Sequence, residues 1–212
     1  MERAAALDLV ERVLDTVVTD RLPVPVREVW VYGDVALGLD PVDRVDIYLT
    51  KDLLLGEADP GDGDDFGVEG IGATVRADWA AAHPEYVRAN ESGYAAPERC
   101  LAAHLLDGVD APVHLEVCNA GFEDNVTQRL KGAVARDAYA EIIDPRGVCL
   151  WQDGTHSEDA LTKLRGGELA FPTLPAALQM LGLDPDQAEA AATVLEQRRA
   201  DAAGTSVRGD VV

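Results

Sequence analysis

The spacing of apolar residues changes along the chain, and the change separates helices from strands. Ala5, Leu7, Val10, Val13, Leu14, Val17 and Val18 recur at three- and four-residue intervals, which predicts a helix over residues 2–19. Pro23 and Pro25 end it. VREVWVYG, residues 26–33, alternates and is rich in Val and aromatics, the pattern of a strand. A turn-rich stretch, DVALGLDPV, leads to a second strand, DRVDIYLTK at 43–51, and the two can pair as a long-looped hairpin. Residues 56–70, GEADPGDGDDFGVEG, read as an acidic surface loop that lacks the order of oxygen donors of a calcium loop.

Further on, the pattern predicts a helix over 72–90 with Trp79 and Tyr86 on its apolar side, and another over 97–107 with Pro97 at its first position. VHLEVCN, 113–119, is a third strand, and EDNVTQRLKGAVARD, 123–137, a helix. YAEIID, 139–144, and GVCLW, 147–151, read as short edge strands around an Asp-Pro-Arg-Gly turn. After Asp153 only helical patterns follow, at 157–165, 175–182 and 185–202, and the last ten residues read as frayed. The expectation is an α/β (α+β) fold: a small mixed sheet flanked by helices over residues 1–152, and a helical C-terminal extension over 153–212.

Charge adds an environment to this outline. The chain carries 39 acidic and 18 basic residues, a formal net charge of -21, with Asp outnumbering Glu 24 to 15 and Arg outnumbering Lys 15 to 3. Such self-repulsion opposes a compact state in dilute buffer. At molar salt the Debye length falls to about 3 Å and the charges scarcely interact. The acids run from Glu2 to Asp210 rather than in one block, so the expectation is a halophilic protein rather than one acidic face for one basic partner. No apolar run approaches the ~20 residues that cross a bilayer, so no membrane association is expected. The N-terminal stretch lacks a basic segment followed by an apolar core, the mark of a signal peptide. Cys100, Cys118 and Cys149 are odd in number and without metal-ligand spacing, so reduced thiols and a cytoplasmic setting are expected. Apart from Arg198-Arg199 the basic residues are scattered, which leaves no nucleic-acid patch. No P-loop, GxGxxG, GxSxG or HExxH occurs.

The candidate chemistry lies in VWVYGDVALGLDPVDRVDIYL, Val29 to Leu49. This stretch resembles the signature of the DNA polymerase β-like nucleotidyltransferase superfamily, in particular its minimal nucleotidyltransferase branch. There a strand ends in Gly-Ser, a loop of about ten residues follows, and the next strand opens with Asp-x-Asp. Two residues apart on a strand share a face, so the carboxylates converge on Mg²⁺. A third carboxylate lies on a following strand, and the metals clamp the attacking and leaving oxygens. The resemblance covers roughly residues 26–152. It implies that Gly33 brings backbone close to a nucleotide phosphate and that Asp46 is the second aspartate of the pair.

Several positions depart from the pattern. Asp34 replaces the serine, Arg44 replaces the first aspartate, and His114 stands at the third-strand position, with Glu116 two residues on. Arginine stays protonated and cannot ligate a metal. Three readings are open. In the first the site is catalytically degenerate, with Arg44 paired to Asp46 or to a ligand phosphate, no cofactor, and Gly33, Asp34 and Arg44 as a nucleotide-binding set. In the second, Asp34, Asp43, Asp46 and Glu116 hold a shifted Mg²⁺, with Asp46, Glu116 and Asp43 as catalytic candidates of an active nucleotidyltransferase that moves an NMP group to a protein, RNA or small acceptor. In the third the match is of fold alone, and the chain is a structural interaction module. The resemblance favours a nucleotide- or protein-binding regulatory module, and it implies a nucleotide, a protein partner, or self-association through the C-terminal helices.

Overall fold

A computed structural model describes residues 1–54, 66–201 and 204–209. In chain order the elements are α1 (Arg3–Thr19), β1 (Val26–Tyr32), α2 (Gly33–Ala36), β2 (Val45–Lys51), α3 (Ala77–Ala82), α4 (Pro97–Leu105), β3 (Val113–Cys118), α5 (Phe122–Arg136), β4 (Val148–Gln152), β5 (Thr155–His156), α6 (Glu158–Gly166), α7 (Leu174–Met180), α8 (Pro185–Asp201) and β6 (Ser206–Gly209). One mixed sheet runs β5-β4-β1-β2-β3-β6. β1 is antiparallel to both β2 and β4, whereas β2, β3 and β6 are parallel. The first two strands do form the long-looped hairpin.

Alternation within the strands gives the sheet two unlike faces. Val29, Val31, Val45, Ile47, Leu49, Val113, Leu115 and Val117 belong to one apolar cluster, closed by α1, by Leu101 and Leu105 of α4, and by Leu161 and Leu164 of α6. The opposite face carries Tyr32, Tyr48 and Cys118, which pack on Phe122 and Val126 of α5 and on Ile143. On that same face the registered row Tyr32, Asp46, His114, Ser206 crosses four strands. Because β2 and β3 are buried along their whole length, Asp46 and His114 of this row are buried with them, while Ser206 at the edge is exposed.

The structure departs from the sequence expectation in several places, among them β5, a short strand where only helices were expected. The helix expected over 72–90 is Ala77–Ala82 followed by a 3-10 turn, Pro84–Tyr86. Proline disfavours the α conformation in the residue before it, and His83 accordingly sits at φ -134, ψ 54. Residues 139–144 are not a strand: Tyr139–Glu141 is a 3-10 turn, and Ile142 and Ile143 insert into two different clusters, so no ladder forms. The tail is not frayed at 206–209. Ser206–Gly209 extends the sheet at the otherwise open edge of β3, where unpaired backbone groups accept a short strand. Most of the acidic loop expected at 56–70 lies outside the described residues, while Glu69 bridges Tyr94.

The helices after residue 153 share cores with the rest. α6 joins the cluster beneath the apolar face, and α7 and α8 pack on Leu130 and Ala133 of α5 and on Ile142. Among the described residues no hydrophobic cluster lies wholly within 153–212. No helix among the described residues is long and apolar enough to cross a membrane.

Candidate functional site

Four carboxylates are buried among the described residues: Asp34, Asp46, Glu116 and Asp144. All four gather where β1 ends and β2 and β3 begin, under α8. Each faces an arginine.

Gly33 closes β1 with φ +67, a conformation that glycine adopts without steric cost. A Cβ built there falls 2.3 Å from Asp46 Oδ2, so only glycine lets the turn touch this carboxylate. Asp46 uses its other oxygen for Arg44: Nε donates to Oδ1 at 2.8 Å and a terminal guanidinium nitrogen lies 2.6 Å from the same oxygen. Burial raises the Asp46 carboxyl above its ordinary value of 3.8, and the Arg44 and His114 charges oppose that rise. Asp34, the first residue after Gly33, accepts the Asp43 backbone N–H on Oδ2 at 3.0 Å. Its Oδ1 is buried without a hydrogen bond, and Arg199 Nε of α8 stands 3.7 Å away.

Glu116 is held by a fork. Arg129 of α5 donates to both carboxylate oxygens, at 3.0 and 2.6 Å. His114 Nε2 lies 3.1 Å from Oε1 and its Nδ1 lies 2.7 Å from Ser206 Oγ. An ionised carboxylate only accepts, so Nε2 carries the proton. Burial pushes Glu116 up, yet the hydrogen bonds from His114 and Arg129 outweigh it and leave the group below its ordinary value of 4.5. Asp144 is also lowered: burial raises it, but Arg146 binds both its oxygens and Arg199 joins at 2.6 Å. Tyr32 lines the same space, and burial followed by the Asp46 and Glu116 charges holds its phenol well above the usual range.

The result is a cluster of four carboxylates matched by arginines: Arg44 on Asp46, Arg129 on Glu116, and Arg199 bridging Asp34 to the Arg146-bound Asp144. Arg198, from the same turn of α8, donates to the Ala140 carbonyl. The cavity left beside Tyr32, Arg44, Asp46 and His114 holds about 50 Å³. Pockets that enclose drug-sized ligands run to ~300–1,000 Å³, so this one has room for little more than water.

A family of unknown function, DUF7095, has a model that matches residues 2–212. The chain belongs to DUF7095. No curated protein and no solved structure matches it.

In this DUF7095 chain Gly33, Asp34, Arg44, Asp46 and Glu116 all border the cluster. Asp43 does not: its side chain is exposed, and it contributes only a backbone N–H. Asp34, Asp43, Asp46 and Glu116 therefore do not make the shifted Mg²⁺ set. Among the described residues no three His, Cys, Asp or Glu side chains form a group that could hold a metal ion. The residues as arranged do not fit Mg²⁺, because the buried carboxylates are already matched by guanidinium groups. Sequence reasoning missed Arg129, Asp144, Arg146, Arg199 and Ser206. The Arg198-Arg199 pair was the one visible signal, a basic doublet on an otherwise acidic helix.

The opposed shifts give a pH signature. A lowered carboxylate stabilises the fold above its unfolded pKa and loses that contribution as pH falls through its folded value. Glu116 and Asp144 behave so, below about 4.5 and 3.8 respectively. Asp46 has the reverse sign: its contribution is present below 3.8 and disappears as pH rises through its raised value. Glu116→Gln is expected to flatten the acid limb of stability against pH, measured by urea unfolding at steps from pH 6 to 3. An acid limb as steep as that of the parent protein would mean that Glu116 is not held ionised.

Proposed function

We propose that this DUF7095 protein is a nucleotidyltransferase-like domain without transfer activity that works as a binding, regulatory module. The observation that carries the reading is the Arg44 guanidinium seated on Asp46 beside the Gly33 turn. A permanent cation at that point supplies the positive charge that a metal would bring, and it offers no coordination site for an attacking or leaving oxygen. Catalysis of phosphoryl transfer is mostly positioning and charge stabilisation by bound metal, so this exchange removes the step while keeping an anion-friendly floor.

The regulatory part rests on α8. Arg199 ties Asp34 and Asp144 together over the cavity, and Leu195, Arg198 and Arg199 line it. A nucleotide phosphate that reached Arg44 would have to displace this helix end, so occupancy and the position of α8 are coupled. α7 and α8 also carry exposed Met180, Leu181 and Val194, apolar side chains on the elements that a protein partner or a second copy would meet. Cys100, Cys118 and Cys149, none of them in a disulfide among the described residues, support a reducing, cytoplasmic setting. The surplus of Asp with scarce Lys supports a protein that works in concentrated salt.

Calorimetric titration with ATP in molar KCl, with and without Mg²⁺, tests the reading. Any ATP affinity is expected to be independent of Mg²⁺, and no pyrophosphate is released. Affinity that appears only with the metal, or pyrophosphate release, restores the active-enzyme alternative. In the same assay Arg44→Asp is expected to introduce Mg²⁺ dependence, because it returns a carboxylate to the face of Asp46.

A further inference from the structure

A second cavity lies at the other end of the parallel strands and on the other face of the sheet. Its volume is about 530 Å³, ten times that of the space beside Asp46. It opens where β2 and β3 finish, bordered by the start of α4 and by Val207 and Gly209 of β6. Lys51 shares the face of Ile47 and Leu49, whereas Asp46 points to the opposite face. Five residues of strand, about 17 Å at ~3.3 Å each, separate the two positions. In α/β sheets the carboxyl ends of parallel strands are where ligands collect.

Lys51 is the decisive residue. It is one of three lysines in the chain and only 6% exposed. Buried lysines are normally paired with a carboxylate. Among the described residues Lys51 has no ion pair, and its ammonium, with three N–H donors, makes a single hydrogen bond, to Asn119 Oδ1 at 2.5 Å. Asp52 next to it is already matched by Arg27 at 2.7 Å.

α4 supplies more donors. Its first turn lines the same cavity and has no side-chain cap at Ala96. The backbone N–H groups of Glu98 and Arg99 precede the first intrahelical bond, Cys100 N–H to the Ala96 carbonyl, and find no acceptor among the described residues. Uncapped N–H groups and the positive end of a helix favour an oxyanion. Leu54, Ala95, Ala96 and Val207 line the remaining wall with apolar surface. Two carboxylates oppose an oxyanion there: Asp52, already paired with Arg27, and Glu98, whose stem packs on Gly209, where a built Cβ would come within 2.7 Å of Glu98 Cγ.

The geometry points to a binding site for a small organic phosphate: a phosphate monoester whose oxygens meet Lys51 and the α4 N-terminus and whose apolar body lies against Leu54 and Val207. It is separate from the space beside Gly33 and does not depend on the reading given to that space.

Phenyl phosphate, inorganic phosphate and benzoate serve as probes, at constant ionic strength, with calorimetry and the thermal unfolding midpoint as readouts. Phenyl phosphate is expected to bind saturably and to raise Tm, with inorganic phosphate weaker. Lys51→Met, which keeps the packed stem, is expected to weaken binding about tenfold or more, the scale of one charge-assisted hydrogen bond. Glu98→Gln removes one opposing charge and is expected to tighten it. That variant also keeps the inference falsifiable if Lys51→Met folds poorly. The inference is overturned by no binding of phenyl phosphate, by unchanged affinity in Lys51→Met or Glu98→Gln, or by benzoate binding as tightly. Loss of binding in Arg44→Met but not in Lys51→Met would assign the phosphate to the other cavity and equally overturn it.

Discussion

Arg129→Met is expected to lower the unfolding free energy by about 3–5 kcal/mol, the usual cost of stranding one partner of a buried ion pair. Glu116 is 2% exposed and takes both hydrogen bonds of the Arg129 fork. Without the guanidinium, His114 is its remaining partner among the described residues, and the buried carboxylate must take up a proton or pull in water. Chemical denaturation in molar KCl measures the loss, which for a chain of this size corresponds to a Tm lower by roughly 10 °C. Glu116→Gln combined with Arg129→Met should recover most of it, since the stranded charge is then gone. The surface provides a control. Arg136 and Glu141 are paired at 2.5 Å, but both side chains are about half exposed, and Arg136→Met should leave stability unchanged because solvent screens such a pair. A loss in Arg129→Met no larger than in Arg136→Met would mean that the network beside Asp46 contributes nothing to the fold.

Stability should also fall steeply as salt is withdrawn. The four buried carboxylates are each matched by an arginine, so the net charge of -21 resides on the rest of the surface. At 0.01 M salt the Debye length is ~30 Å, comparable to the whole molecule, and every surface acid repels every other. Going from about 2 M to 0.05 M KCl is expected to lower Tm on the order of 10 °C, near 3 kcal/mol at the usual ~2–4 °C per kcal/mol. Scans across a KCl series, with sucrose at matched water activity as a control for solute exclusion, measure it. A Tm independent of KCl would remove the case for a salt-adapted protein. The paired network should respond less than the surface, because buried pairs are screened little.

Much of the fold was legible because period and burial coincide. The 2–19 helix, the strand at 26–33 and the helices at 97–107 and 123–137 each bury one face and leave a periodic trace, whereas the strands at 43–51 and 113–119 are buried on both faces and show as short runs rich in β-branched and apolar residues. The readings that failed are those that hinge on neighbours. YAEIID has strand-like residues, yet Ile142 and Ile143 go to separate clusters and nothing pairs with their backbone. Ser206–Gly209 is too short and too polar to announce a strand, and it becomes one only because β3 offers an edge. The stretch over 72–90 reads as continuous helix if His83-Pro84 is passed over.

The candidate site divides in the same way. Gly33, Arg44, Asp46 and Glu116 could be picked out because the resemblance to the nucleotidyltransferase signature marks the end of β1, the start of β2 and the two-residue spacing on β3. Asp34 was nameable, but not that one of its oxygens would be buried without a hydrogen bond. Asp43, a candidate only for the shifted-metal alternative and otherwise readable as a solvated loop carboxylate, is exposed.

The sequence by itself determined the strands, the two-faced alternation of the sheet, the acidic surface, and the placing of Arg44 two residues before Asp46. Those properties are local: they depend on a residue, its near neighbours in the chain, and water. Tertiary structure alone decided which arginine meets which carboxylate, that α8 covers the cavity, and that Lys51 is buried facing an uncapped helix start. Those contacts join residues up to 165 positions apart, as Arg199 and Asp34 are, and no pattern along the chain encodes a distance that only packing sets.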